Sequence, residues 1–522
     1  MTRRIRFASI GILAILMIAS FLPVVPLATA TNDPPNHGGG QFNQALEWDV
    51  IDTQTYTNGA IIRMDDHNVT VKKNGNLVLD KASILFNGHT NGQIGIMVED
   101  GGTLTLKNTA MIAMWTIKTF YCIFMKGSTV SVTNSQIAGA YGGKASVNVP
   151  ASTGIWVETK DFTADSSFIA GSIWGDALII NNTGNPTIRN STIDVSSGSG
   201  VYMMNGANAT FSDDIIVRHP ASNGWAGIYL SSQSRAKVIK TNIKDFNLGF
   251  GGFGIQVSDS YLYANGNTFT NNYNTITIDG HASADLIAND IGGGQIGIKL
   301  WSFAQVNMIG NNIHDTAQFA IEANDFTTLN TTGLVLKHNF GGGIHLIQAT
   351  ANIGKATIDT FNSQLNFGIL AESFSTANVT SGAFSTSDGS SMFKFTSGST
   401  GTINSATLTG NIWMGVWSER GATVTVTKSK FDGCTNCFYA VSSGVIISSF
   451  NKFSNYQIAL SSYGKGLLTS RLDMISSPQA FSITAYSSIS GTVDIYSMTG
   501  DAVLPTTIWT YSVNGARIYI HD

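Results

Sequence analysis

Apolar and polar residues alternate along most of the chain in short runs, and turn residues interrupt the runs every few positions. One four-residue pattern, small–apolar–any–apolar, keeps returning. It is seen as Gly95-Ile-Met-Val, Gly154-Ile-Trp-Val, Gly200-Val-Tyr-Met, Gly227-Ile-Tyr-Leu, Gly254-Ile-Gln-Val, Gly297-Ile-Lys-Leu and Gly343-Ile-His-Leu. Weaker copies fill the intervals at Cys122, Ala177, Thr275, Met392, Cys437, Gln457 and Ala480, which sets a period of ~24 residues. Each interval also holds a short strand, a polar turn and one apolar residue, as in Thr103-Leu-Thr-Leu-Lys-Asn-Thr-Ala-Met111 and Thr129-Val-Ser-Val-Thr-Asn-Ser-Gln-Ile137. Period-two alternation of β-branched residues is a strand signal, and no helical period accompanies it. Three short strands and three turns fit in ~24 residues, one turn of a right-handed parallel β-helix, so the pattern predicts an all-β solenoid of ~17 coils. Leucine-rich repeats need a Leu/Asn consensus that is missing, and propeller blades need a longer period.

Stacking explains the residue choices. In-register coils lie ~4.8 Å apart, so equal positions become columns along the axis. Asn108, Asn134 and Asn190 share a turn position three residues before an apolar one, which predicts an asparagine ladder; the Asn moves closer at Asn289 and Asn312. Residues 42–51 read as an amphipathic cap for the first coil, preceded by a Pro/Gly/Asn-rich leader from Thr31 to Gly40. The organisation expected is therefore leader and N-terminal cap over 31–60, solenoid over 61–500 and a terminal segment over 501–522. In that last segment Thr507 to His521 reads as a hairpin about Asn514-Gly515, which caps the far end or begins a further module.

Residues 1–30 read as an export signal: Arg3, Arg4 and Arg6, then an apolar stretch from Ile10 to Leu22, then Ala28-Thr29-Ala30 as a cleavage site. Removing them takes away three arginines and no acids, which moves the formal charge from −4 to −7. No basic patch follows, so nucleic acid is not an expected partner, and no later stretch is apolar for long enough to span a membrane. Charged residues make up 12% of the chain, about half the usual share, as suits stacked strands and turns. Export permits a local disulfide between Cys434 and Cys437; two buried thiols are the alternative, and Cys122 reads as core. No metal site is expected, and calcium has no motif to support it. Sequons stand at Asn68, Asn181, Asn190, Asn208, Asn330 and Asn378, a number this composition needs no special cause to reach.

The repeated Gly-Ile-x-Val and Asn-Ser-x-Ile elements give the chain a resemblance, over residues 60–500, to the pectate-lyase-like family of right-handed β-helix proteins, especially its repeat-rich branch. The resemblance implies the fold and a ligand face along one exposed sheet; many chemistries share this solenoid. The family's lyases use an aspartate cluster for calcium with an Arg or Lys base, and its polygalacturonases use Asn-x-Asp, Asp-Asp, Gly-His-Gly and Arg-Ile-Lys in order. Here Asp213-Asp214, Arg218 and Gly280-His281-Ala282 are fragments without those surroundings, so no catalytic residue carries over.

If the second residue of each four-residue motif points inward, the third points out. That outward column runs through Met97, Phe124, Trp156, Ile179, Tyr202, Tyr229, Gln256, Thr277, Lys299, Glu322, His345, Leu370, Lys394 and Trp417; the next includes Lys126, Asp279 and Trp301. Trp156, Tyr202, Tyr229 and Trp301 are candidate sugar-stacking rings, with packing beneath loops such as Tyr141 to Val149 or residues 218–225 as the alternative. Asp279, Lys299, Glu322 and His345 fall on successive coils and offer an acid or base beside a cation; a solvated ladder of alternating charges is the simpler account. The functional expectation is a secreted or cell-surface β-helix that presents an extended face to polysaccharide or surface proteins. A polysaccharide lyase or glycoside hydrolase and an architectural envelope component that self-associates are the alternatives.

Overall fold

A computed structural model of the chain describes residues 47–521 apart from 66, 89, 115–118, 151–152, 173, 183–184, 221, 249–250, 361–365, 476–482, 487–491, 497–509 and 514–516. The export signal over 1–30 and the leader from Thr31 to Gly40 lie outside the described residues. The architecture is an all-β parallel solenoid of about 18 turns. Every strand pairing among the described residues is parallel, and each coil adds one strand to each of three sheets. The first sheet holds the four-residue motif, as in Gly95–Val98, Ala226–Leu230 and Phe319–Asn324. The second holds the alternating runs, as in Thr103–Lys107 and Gln305–Ile309, and the third the short strands that follow, as in Gln136–Ala140 and Asn312–His314. Inward Ile, Val, Leu and Phe side chains form one continuous buried core along the axis. Each fully buried side chain of this size contributes roughly 1.5–3 kcal/mol, and because the core grows only lengthwise the chain needs no second domain to bury it.

Both ends differ from expectation. Glu47–Val50 pairs in register with Asn68–Val71, and Thr53–Tyr56 with Asn76–Asp80, so residues 47–56 are the first coil itself and not a separate cap. The amphipathic pattern is real, with Trp48 and Val50 inward, but its period is that of a strand. At the far end, Thr510–Val513 pairs parallel with Ile483–Tyr486 and Arg517–His521 pairs parallel with Thr492–Tyr496, which corrects the hairpin about Asn514-Gly515. Two strands that each extend a different sheet cannot pair with one another.

The asparagine ladder splits into two columns. Asn108, Asn134 and Asn190 hold left-handed turn conformations with φ of 50°, 48° and 50°, and the outward amides of Asn108 and Asn190 donate to Asp80 and Asp165 of the preceding coils. The inward ladder is the next residue: Thr109, Ser135, Ser167, Ser191, Asp214 and Thr241, then asparagine at 267, 289 and 311. Asn267 Nδ2 donates to Asn289 Oδ1 at 2.9 Å, and Asn289 Nδ2 to Asn311 Oδ1 at 2.9 Å. Asn312 points outward, to Asp290.

Cys122, Cys434 and Cys437 are all buried free thiols in this structure. Burial pushes the Cys122 and Cys437 thiols well above the ordinary range, and Cys122 sits among core residues as expected.

Candidate functional site

Register within the first sheet places the outward column where the motif predicts it, with one exception. Ile123, not Phe124, pairs with Met97 and Trp156. Phe124 is therefore core, stacked on Phe162, and Met125 takes the place expected for Lys126. The run Tyr121 to Met125 is apolar at every position, so alternation there cannot set the register.

The four charged candidates form no common site. Lys299 Nζ lies 3.3 Å from Glu322 Oε1, and Asn324 Nδ2 donates to the same oxygen at 2.9 Å. His345 instead meets Glu372 at 3.1 Å, with its ring against Phe319 at 4.6 Å. Asp279 accepts a long bond, 3.4 Å, from Gln256. Lys394 and Glu419 repeat the pairing at 3.2 Å. These pairs make the alternating-charge ladder that like-charge repulsion and unlike-charge attraction favour on a sheet face. Trp301 has its own lysine, Lys299 Nζ, 4.6 Å above the ring. The exposed His281 stacks on Phe303 at 5.4 Å, and Asp213-Asp214 is a turn residue followed by a ladder residue. Among the described residues, no group of three or more His, Cys, Asp or Glu side chains is arranged to hold a metal ion.

The aromatic candidates divide. Trp156 is only 5% exposed and packs with Ile123, Ile179 and Val149, beneath the segment that ends at Val149, so it offers no platform. Tyr202 and Tyr229 pair in register, and their rings stack 5.0 Å apart at 12°. Trp225 stands edge-on to Tyr229 at 5.2 Å. Together with Trp174, which is 53% exposed, these rings line a cleft of about 310 Å³ whose remaining wall is Gly175, Asp176 and Ser197 to Ser199. That volume falls at the low end of the range for small-ligand sites.

Local backbone chemistry builds the cleft. Trp174 and Asp176 stand on the turn before Leu178–Asn181, and Trp225 stands just before Ala226–Leu230. Trp225 N donates to Gly198 O at 2.8 Å and Ser199 N to Asp176 Oδ1 at 2.6 Å, which ties the three turns together. Gly198 has φ of 58°, and a Cβ there would lie 2.6 Å from Asp176 Oδ1, so only glycine lets the carboxylate in. Burial raises the Asp176 pKa above the usual carboxylate value, against the opposing Ser199 N–H. Sequence reasoning missed Trp174, Asp176 and Trp225. They belong to no column, because Trp174 precedes its inward Leu178 by four residues and Trp225 precedes its inward Ile228 by three.

The fold and this face define a parallel β-helix repeat protein with an aromatic cleft beside its first sheet. The chain belongs to the family described as right handed beta helix region, whose profile matches residues 67–224, 121–291 and 221–384. No curated protein sequence matches it. Among solved structures it is similar to the catalytic unit of a thermostable GH87 alpha-1,3-glucanase from Streptomyces thermodiastaticus, with 14% identity and a TM-score of 0.37. That match covers 56% of this chain and 58% of the glucanase unit. A variant of the periplasmic alginate epimerase AlgG matches at 13% identity and a TM-score of 0.35, over 64% of this chain and 74% of the epimerase. No helix among the described residues is long and apolar enough to cross a membrane.

Proposed function

We propose that this protein is a secreted or cell-surface β-helix that binds polysaccharide through the cleft formed by Trp174, Tyr202, Trp225 and Tyr229. The observation that carries the proposal is the convergence of four partly exposed rings on one small cleft beside a half-buried carboxylate. Flat rings on a rigid sheet suit the apolar faces of sugars, and the Asp176 carboxyl and neighbouring backbone groups supply the few polar contacts that fix orientation. The export signal read at residues 1–30 supports an extracellular setting.

Affinity electrophoresis of the purified protein through acidic and neutral glycans tests this. Trp225→Ala and Tyr229→Ala each lower affinity for the retained glycan at least tenfold, while Trp156→Ala, a buried ring, does not act through the cleft. Retention by no glycan, or undiminished retention of both cleft variants, refutes the reading.

The raised carboxyl of Asp176 supports a second reading, a glycoside hydrolase or lyase in which it serves as acid. Release of reducing ends that Asp176→Asn abolishes, with glycan retention unchanged, is the result that distinguishes it.

A further inference from the structure

The second sheet changes character along its length. Its earlier coils carry outward charges, among them Lys107, Asp165, Arg189, Lys237 and Asp285. From Gln305–Ile309 to Val445–Ser449 the outward positions of seven successive coils carry none. Threonine and asparagine dominate: Thr328, Asn330 and Thr332 on one coil, Thr376, Asn378 and Thr380 two coils on, Thr423, Thr425 and Thr427 two further. Register is unbroken across these strands of the second sheet, so the side chains form a two-dimensional array, with a depression of about 320 Å³ along one margin where Gly354 lies between Thr332 and Thr380 and Lys355 stands at the edge. Its spacings are ~4.8 Å between coils and ~6.7 Å along each strand.

The array is held rigid. Asn330 Nδ2 donates to Asn307 Oδ1 at 3.2 Å, Asn352 to Asn330 at 2.8 Å, and Asn378 to Asn352 at 3.0 Å; Thr402 Oγ1 then donates to Asn378 at 2.8 Å. Threonine side chains are stiff at χ1, so hydroxyls and methyls keep fixed positions.

Three occupants could cover such a face, and magnitudes separate them. The array measures ~29 by ~13 Å, about 400 Å². A stable dimer needs about 800 Å² from each partner, so a second copy is poorly served. A sugar polymer wants aromatic faces, and none of these strands points a ring outward. The nearest rings, Phe303, Phe326 and Phe374, stand on the adjoining turn ridge and not on the array itself; Phe303 and Phe326 stack on each other at 5.6 Å and 14°. A surface of ordered water remains. Charges gather tight hydration shells that no regular lattice can share, and here there are none. Fixed hydroxyls and amides can hold first-layer waters at regular intervals, and the rigid array lowers the entropy lost in ordering them.

We infer that this face binds ice: water oxygens of the ice lattice repeat in two directions on distances comparable to those of the array, and the Thr/Asn columns match them. The inference is independent of the aromatic cleft.

Ice-recrystallisation inhibition by the purified protein tests it, with Asn378→Lys in the centre of the array and Thr210→Lys as a control on the charged half of the same sheet. The wild type and Thr210→Lys inhibit recrystallisation, and Asn378→Lys needs at least tenfold more protein. Thr425→Lys repeats the test at a position outside the asparagine ladder, and melting curves confirm that each variant folds. Inhibition no better than that of an inert protein overturns the inference, as does inhibition that both array variants leave intact. A dimer lost on Asn378→Lys without ice activity assigns the face to a second copy instead. Retention on an insoluble neutral glycan that is lost on Asn378→Lys and kept on Trp225→Ala assigns it to polysaccharide. Either of these outcomes also overturns the ice reading.

Discussion

Asp214 occupies a ladder position that on the coils from Thr109 to Asn311 otherwise holds a hydroxyl or an amide. Its Oδ1 accepts from Ser191 N at 2.8 Å, but its Oδ2 is buried without a partner. At the matching atom, Asn267 Nδ2 donates to Val238 O and Asn289 Nδ2 to Ala264 O. Register makes Ile188 O the corresponding carbonyl for residue 214, an acceptor that an ionised oxygen would meet unfavourably. Burial accordingly pushes the Asp214 pKa up to about 7 from 3.8. The folded pKa is raised, so this group's contribution to stability is complete below the unfolded value and is lost as pH rises through the folded one. Asp214→Asn therefore raises stability at pH 8 by on the order of 2 kcal/mol and changes little at pH 4, which thermal melts at the two pH values will show. Asp473 differs in having both oxygens partnered, since the hydroxyls of Ser448 and Ser470 donate to its Oδ2, although burial raises its pKa as well. From the sequence alone Asp213-Asp214 reads as a fragment of a catalytic series. A pair of adjacent acids does not disclose that one of them faces the core.

At the scale of strands and turns, the inward amide ladder is the element that deserves measurement. Asn289 spans three coils: it accepts from Asn267 and donates to Ala264 O and Asn311. Asn289→Ala removes these bonds and leaves buried partners unpaired, at a cost of about 3 kcal/mol, whereas Thr425→Ala on the outer face stays within about 0.5 kcal/mol; denaturant titration of both variants checks the contrast. The strands themselves were readable because β-branched alternation has a fixed period and each copy repeats it. Register failed only at the Cys122 copy, where Tyr121 to Met125 are all apolar, and at the Gln457 copy, where Leu460 rather than Ile458 pairs with Phe438. The cleft was only half readable. Tyr202 and Tyr229 lie in a strand column and were found; Trp174, Asp176 and Trp225 lie in turns of unequal length, which no period can align.

Over the whole molecule, the long repeat made the solenoid readable, while its ends were not. Asn514-Gly515 has hairpin chemistry, yet the chain beyond it continues to stack because the preceding coil offers open strands to both flanking segments. The aromatic cleft lies on the coils of Tyr202 and Tyr229, and the uncharged array on the later coils of another sheet, so each can be altered without the other. Backbone bonds between coils, such as Thr103 N to Gly75 O at 2.9 Å and Thr129 N to Gly102 O at 2.9 Å, point along the axis. A load applied between the two ends therefore pulls each coil straight off its neighbour instead of shearing many bonds together. Stretched in an optical trap, the protein should lengthen as a train of small, similar force peaks, one per coil, rather than in one large rupture. A single cooperative rupture would show that the coils resist as a block. Such gradual yielding would let a protein tethered at a cell surface absorb a pull and rewind when the pull stops.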